Sequence, residues 1–320
     1  MRILFAASPA IALPSLEALY KIEGIELAGV LTNPDTPKNR HGNPQPTDIG
    51  AAVQLNHSDT PVLKFEKLDA LAREKISALN CDLLVSFAYG KIFGPKFLTL
   101  FPLGGINIHP SLLPKYRGPT PVQAAILNGD TVTGISIQKL ALQMDKGDIL
   151  AQEEFQLTGK ETTGSLSGTA ADKAAVMLPD VLKKIANSSS EMSGFSCARE
   201  QNDSEAVYCS LISKEDGIID WNKSVVEIEA KIRAFDPWPL CRTIHKGREL
   251  IILKAAVFKT GANDQYKPGQ VLGIDNIHGI LIQTGDGVLA VTQLQYQAKK
   301  ALFWRDFLNG ARDFTGSQLG

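Results

Sequence analysis

Apolar runs of strand length alternate with amphipathic stretches from the N-terminus to Ile185. Arg2–Ala7 and Ile25–Leu31 are short and almost wholly apolar, as buried strands are, and Ser15–Ile22 between them spaces its apolar residues along one helical face. The opening is therefore a βαβ unit. The pattern then predicts a helix over Thr47–Asn56, capped by Thr47 or Asp48, a short strand at Pro61–Leu63, a helix at Leu68–Leu79 and a buried strand at Asp82–Ala88. A strand at Gly105–His109, a helix at Pro121–Asn128, a strand at Gly134–Leu140 and a long helix at Thr162–Ile185 complete this half. Between Pro34 and Pro46, four prolines and many polar positions leave no room for regular structure.

The pattern changes after Ile185. Asn187–Glu205 is Ser-rich, polar and without period, and reads as a linker. Beyond it a helix at Val225–Phe235 is followed by strand-like runs at Leu250–Phe258, Gln270–Ile274, Gly279–Thr284 and Val288–Gln293. Gly285-Asp286-Gly287 makes a tight turn between the last two. The expected organisation is an α/β, Rossmann-like domain with a parallel-type sheet over residues 1–188, a linker over 189–205, and a smaller β-barrel domain over 206–320.

Composition narrows the class. With 44% apolar and 21% charged residues the chain is an ordinary soluble globular protein. Its N-terminus, MRILFAASPA, has one basic residue and a short apolar run, which suits a first strand rather than a signal peptide. No run approaches the ~20 apolar residues that a membrane helix requires. Cys81, Cys197, Cys209 and Cys241 are scattered without a C-x-x-C, so a reducing cytoplasm is expected. The histidines never pair at metal-ligand spacing, and no metal is expected. The turn Ala7-Ser8-Pro9-Ala10 has no glycine, which argues against dinucleotide binding despite the βαβ opening. A net charge of −1 argues against a polycationic nucleic-acid binder. Residues 206–320 carry 14 Lys and Arg against 12 Asp and Glu, so any RNA contact must come from local clustering.

Chemistry concentrates in Asn107–Pro121, NIHPSLLPKYRGPTP, and in Asp145 of MDKGDIL. Ile106-Asn107-Ile108-His109 alternates, so Asn107 and His109 face the same side of a strand that Pro110 then ends. A neutral His takes a proton near pH 7. An Asn amide can donate to an oxygen that gains negative charge. An Asp beside the His would fix its tautomer and stabilise its cationic form. No nucleophile belongs to the set, since Ser111 lacks the Gly-x-Ser-x-Gly turn that would expose it. The combination suits acyl or formyl transfer directly to an external amine. An isolated N-x-H is equally what a turn cap and a core histidine look like; the following SLLPKYRG and Asp145 weigh against that.

N-x-H-x-SLLP-x-Y-RG followed by D-x-GD resembles the signature of the folate-dependent formyltransferases. Thr32-Asn33-Pro34-Asp35, Ser86-Phe87-Ala88-Tyr89-Gly90, Ile219-Asp220-Trp221, RAFDPWP at Arg233–Pro239 and Gly285-Asp286-Gly287 extend the resemblance from Arg2 to about Leu302, and RAFDPWP points within that group to the methionyl-tRNA formyltransferase family. The resemblance implies an OB-like second domain that binds tRNA and a catalytic set of Asn107, His109 and Asp145. It also implies 10-formyltetrahydrofolate as formyl donor and the methionine of initiator methionyl-tRNA as acceptor. The expected protein is a cytoplasmic monomer without a membrane partner. Because the donor is already activated, no metal has to ionise a water. A sugar-amine N-formyltransferase is the alternative enzyme, and an RNA-binding module with a decayed site the alternative without catalysis.

Open α/β sheets bind ligands beyond the carboxyl ends of their strands. Phe87, Ala88, Tyr89 and Gly90, with Leu140 and Gln143, are expected as walls of a folate slot, and Ser111, Leu112, Leu113 and Pro114 as further folate contacts. Ala141 and Gln143 stand where the family usually has an acidic residue and a glycine. The loop Asp35–Gln45 carries Lys38, Arg40 and His41, which read either as a solvated surface or as a contact to the tRNA acceptor end; the resemblance favours the second. Arg117 is expected to meet tRNA as well.

Overall fold

The computed structural model describes residues 1–37, 42–187, 198–261 and 265–320. The chain divides into two units. The first is Met1–Pro121, Val132–Gln156 and Ser167–Ser210; the second is Val122–Thr131, Leu157–Leu166 and Leu211–Gly320.

In chain order the elements are β1 (Arg2–Ala7), α1 (Leu13–Leu19), β2 (Glu26–Thr32), β3 (Thr36–Pro37), β4 (Pro44–Gln45), α2 (Asp48–Asn56), β5 (Val62–Lys64), α3 (Ala70–Ser77), β6 (Leu83–Phe87), α4 (Pro95–Leu98), β7 (Gly105–His109), α5 (Pro121–Leu127), β8 (Val132–Lys139), β9 (Ile149–Gln156) and α6 (Thr163–Ala186). Thr47 caps α2 by accepting from Gly50 N. Pro37 and Pro44 pair across the minimal antiparallel stem β3–β4, where the sequence suggested no regular structure.

The first unit is built on a seven-stranded sheet in the order β5-β2-β1-β6-β7-β8-β9. The five strands from β5 to β7 are parallel. β8 runs antiparallel to β7, and β9 antiparallel to β8, so the expected parallel-type sheet carries an antiparallel edge. The β8–β9 connection is the segment that contains Asp145.

Strand alternation divides the core into two layers. Ile3, Phe5, Leu83, Val85, Ile106 and Ile108 pack with Ala170, Ala174, Leu178, Val181 and Leu182 of α6. Leu4, Ala6, Leu84 and Tyr89 pack with Phe93, Phe97 and Phe101 on the other face. Burying an Ile side chain contributes about 1.5–3 kcal/mol. A one-residue slip of β7 would exchange Ile106 and Ile108 for polar side chains beneath α6, so these two isoleucines fix the register that turns Asn107 and His109 to the opposite face.

Residues 198–205, expected as linker, belong to the first unit, and the second begins at Leu211 rather than 206 after its two earlier segments. Arg199 and Ile149 exchange backbone hydrogen bonds of 2.8 Å in both directions. Arg117 N donates to Val207 O and Cys209 N to Arg117 O, each at 2.8 Å. These bonds were invisible in a polar, aperiodic stretch because they use the main chain. Linker residues 189–197 lie outside the described residues.

The second unit contains α7 (Val225–Ala234), β10 (Cys241–His245), β11 (Arg248–Lys259), β12 (Val271–Asp275), β13 (Gly279–Thr284), β14 (Gly287–Tyr296), β15 (Leu302–Phe303) and α8 (Trp304–Gly310). Ser224 and Glu227 form a capping box on α7. The antiparallel sheet runs β10-β11-β14-β13-β12, with β15 on β14. Gly316–Gly320 joins its two ends: Val271 N donates to Ser317 O at 2.9 Å, and Gly320 N to Ile244 O at 3.0 Å. The sheet thereby closes into the barrel-like form expected.

Candidate active site

β7 delivers Asn107 and His109 two residues apart, and β8 sets polar residues beside them: Asn107 is in register with Gln138, and His109 with Ser136. His109 is 4% exposed. Its Nε2 lies 2.8 Å from the carbonyl oxygen of Tyr116. A carbonyl only accepts, so Nε2 carries the proton and, in the neutral ring, Nδ1 is the basic nitrogen. Nδ1 faces Asp145 Oδ1 at 3.6 Å, beyond ordinary hydrogen-bond length. The tautomer expected to be set by Asp145 is therefore set by the Tyr116 main chain. Tyr116 adopts a left-handed φ of 59°, which directs that carbonyl inward.

Leu140 N bonds to Gly105 O at the start of β7, and the following loop doubles back over Asn107. Asp145 Oδ2 accepts from Gly118 N at 2.9 Å. Its Oδ1 accepts from Gln138 Nε2 at 2.8 Å and from Asn107 Nδ2 at 3.4 Å. The long Asn107 bond is the weakest of these, so this amide is the one most readily turned to a ligand oxygen. Asp145 itself has a left-handed φ of 53°, a conformation costing about 1–3 kcal/mol outside glycine. Gly147 closes the loop, since a Cβ there would lie 1.8 Å from Lys139 O. Asn107, His109 and Asp145 thus come together, the first two on one side of β7 as the alternation suggested and the third as the resemblance implied. Gln138 and Gln201 belong to the same network and were not anticipated. Ser136 and Gln138, alternating with Ile135 and Ile137 in the strand expected at Gly134–Leu140, are a usable sequence signal for the first; Gln201 has none.

Arg117 does not sit where a tRNA contact was expected. It is fully buried. Its Nη1 donates to Asp203 Oδ1 at 2.7 Å and to Tyr208 Oη at 3.1 Å, while Nε and Nη2 reach Gln201 Oε1 at 3.0 and 2.9 Å. A guanidinium spent on four internal bonds has no face left for RNA; its work is to hold residues 201–208. Lys38, Arg40 and His41 lie outside the described residues.

The folate contacts separate into two groups. Phe87, Tyr89, Ser111 and Leu113 are buried, with Phe87 and Tyr89 in the two core layers. Ser111 Oγ is bonded to Lys115 O at 2.6 Å. Their side chains are occupied by packing, and only their main-chain groups could meet a ligand. Ala88, Gly90 and Gln143 are exposed, and Leu112, Pro114 and Leu140 half-buried. Ala88 and Gly90 have positive φ values of 52° and 84° at the end of β6, and Tyr89 O between them accepts from Asn33 Nδ2 at 2.8 Å. Exposed Ile92, Leu142 and Met144 add large apolar side chains on the same two loops. Apolar surface with main-chain polar groups is what a flat, edge-polar ring requires. An open groove of about 940 Å³ flanks the second loop, lined by Leu142, Gln143, Lys146, Gln201 and Asp203 among others. No cluster of His, Cys, Asp and Glu among the described residues could hold a metal ion. No described helix is long and apolar enough to cross a membrane.

Comparison with known proteins places these features in context. A family model described as formyl transferase matches residues 1–182, and one for the formyl transferase C-terminal domain matches residues 211–312. Methionyl-tRNA formyltransferase of Treponema denticola is 49% identical over 323 residues, covering 98% of each chain. That of Treponema pallidum is 41% identical and covers 100% of this chain and 99% of its own. Among solved structures, a methionyl-tRNA formyltransferase from Clostridium thermocellum has a TM-score of 0.55 at 18% identity, covering 80% of this chain and 93% of that one. HypX from Aquifex aeolicus in complex with tetrahydrofolic acid has a TM-score of 0.59 at 17% identity, covering 98% of this chain and 48% of that one. WlaRD, a sugar 3N-formyl transferase, has a TM-score of 0.60 at 19% identity, covering 94% and 99%. At such identities the structural likenesses speak for the fold.

Proposed function

Since the chain belongs to the methionyl-tRNA formyltransferase family, with a formyl transferase domain and its C-terminal companion both present, we propose that it moves a formyl group from 10-formyltetrahydrofolate to the α-amino group of methionine on initiator tRNA. The observation that carries this is the pairing of a fixed tautomer with a nearby carboxylate: His109 presents Nδ1 toward Asp145, beside the Asn107 amide.

In this reading the amine attacks the formyl carbon, and negative charge grows on the formyl oxygen. Asn107 Nδ2, loosely held at 3.4 Å, turns to donate to that oxygen. His109 Nδ1 takes the proton lost by the amine. Asp145 then faces an imidazolium rather than a neutral ring, and their attraction is largest after the proton has moved. As the bond from the formyl carbon to the folate nitrogen breaks, the imidazolium gives that proton to the departing nitrogen and tetrahydrofolate leaves. Gly118 N and Gln138 hold the carboxylate in place throughout. The bound folate supplies an activated formyl group; the main-chain groups of Ala88–Gly90 and the apolar side chains Ile92, Leu142 and Met144 would hold its ring.

We assign tRNA binding to the second unit and to Lys38, Arg40 and His41, and place the protein in the cytoplasm as a monomer. Formylation of charged initiator tRNA, assayed beside a nucleotide-linked amino sugar with the same donor, tests the acceptor. Formyl-methionine as the product supports the proposal, and formylation of the sugar alone overturns it in favour of a sugar-amine transferase.

A further inference from the structure

Gln201 is 8% exposed and lies in the segment that follows α6. Its side-chain amide has one possible orientation. The Arg117 guanidinium only donates, so Oε1 must face it, at 3.0 Å from Nε and 2.9 Å from Nη2. Nε2 is thereby aimed at the catalytic loop. It donates to Gly147 O at 2.6 Å, to Asp145 O at 2.8 Å and to Gln138 Oε1 at 3.1 Å. Gln138 passes the contact on, since its Nε2 reaches the Asp145 carboxylate at 2.8 Å. Asp145 is thus gripped at both ends, by its carbonyl directly and by its carboxylate through Gln138.

This grip falls on a residue whose backbone needs one. The left-handed φ of Asp145 persists only if its surroundings over-determine it. The distance that matters for chemistry, 3.6 Å from His109 Nδ1 to Asp145 Oδ1, depends on where this loop sits. We propose that Gln201 is a positioning residue for Asp145, acting through the Asp145 carbonyl and through Gln138. The proposal rests on the formyl-transfer reading of the site. Neither neighbouring chemistry would serve. A Glu could still accept from Arg117 but would set negative charge against two carbonyl oxygens, and a Lys could not accept from Arg117 at all.

Gln201→Glu keeps the acceptor for Arg117 while it removes the donors and turns a carboxylate oxygen on the carbonyl oxygens of Gly147 and Asp145. The variant should melt below the parent yet, while folded, bind a folate analogue within about twofold. Its kcat for formylation of methionyl-tRNA should fall by up to about 10²-fold, the scale of a misplacement near 1 Å. In an Asp145→Ala background the same substitution should change kcat less than about twofold, since the group it positions is gone. A full second loss in that background, or parental turnover in the single variant, overturns the proposal. Should the Glu variant not fold, Gln138→Met breaks only the relay and must show the same non-additivity; additive loss there overturns it equally. Failure of the underlying reading is distinct: it appears as parental turnover in Asp145→Ala alone.

Discussion

His109 donates its Nε2 proton to the carbonyl oxygen of Tyr116 across 2.8 Å, so a main-chain group rather than a carboxylate decides which ring nitrogen is the base. The consequence is a division of labour. Tyr116 fixes the tautomer, and in the proposed reaction Asp145 is left to stabilise the positive ring that forms when Nδ1 takes a proton.

Asp145→Asn tests that division. The tautomer survives the substitution, so the loss in kcat should stay well below the about 10⁴-fold that follows when a carboxylate also sets the tautomer. Steady-state formylation kinetics measure it. A loss as large as that of His109→Ala would return the tautomer to Asp145.

Asn107→Ala removes the side chain assigned to the formyl oxygen. Loss of one such donor typically lowers kcat by about 10²- to 10³-fold. Folate-analogue affinity, read by fluorescence titration, should stay within a few-fold. A fall in affinity matching the fall in kcat would make Asn107 a ground-state contact.

The placement of Asn107 and His109 was legible because strand alternation is a geometric rule: Ile106 and Ile108 go beneath α6, and the residues between them cannot. Asp145 was legible through the family resemblance, since nothing in the spacing shows that a loop doubles back over β7. β9 escaped notice because its sequence, ILAQEEFQ, lacks a clean apolar face in a half-buried edge position. The internal role of Arg117 is hidden in the sequence for a related reason. A charged residue beside a reaction centre suggests a ligand, yet its partners Gln201, Asp203 and Tyr208 lie more than eighty positions away in a stretch with no period. Long-range polar contacts of this kind leave no trace in local pattern.

Arg117→Ala should accordingly lower stability rather than tRNA affinity. Hydrogen bonds to a charged group contribute about 1.5–3 kcal/mol each, and with the partly exposed Asp203 rehydrating, a net loss of about 2–4 kcal/mol is expected. Arg117→Lys should recover only part of it, because an ammonium cannot bond Gln201 in a fork. Denaturant melts check both. Unchanged stability with weakened tRNA binding would contradict the internal role.

His245 gives the second unit a pH dependence. The ring is 3% exposed, Nδ1 meets Tyr296 Oη at 2.5 Å, and Nε2 is buried with no hydrogen-bond partner among the described residues. Burial first, then Lys246 and Arg248, push its pKa below the ordinary 6.5, with Asp313 opposing. The unfolded chain therefore binds this proton at higher pH than the folded one. Stability contributed by the neutral ring is present above about 6.5 and is lost as pH falls from there toward the depressed folded value. Thermal melts between pH 8 and 5 should show that decline, and His245→Phe should flatten it. An unchanged slope in the variant would assign the decline to other groups.

Single-turnover formylation of methionyl-tRNA, with donor and enzyme in excess, tests the central claim most directly. The parent protein should convert the bound methionine to formyl-methionine. His109→Ala should do so about 10²- to 10⁴-fold more slowly, the usual contribution of an acid–base group, while binding the folate analogue as before. No formyl-methionine from the parent, or parental rates from His109→Ala, would contradict the account.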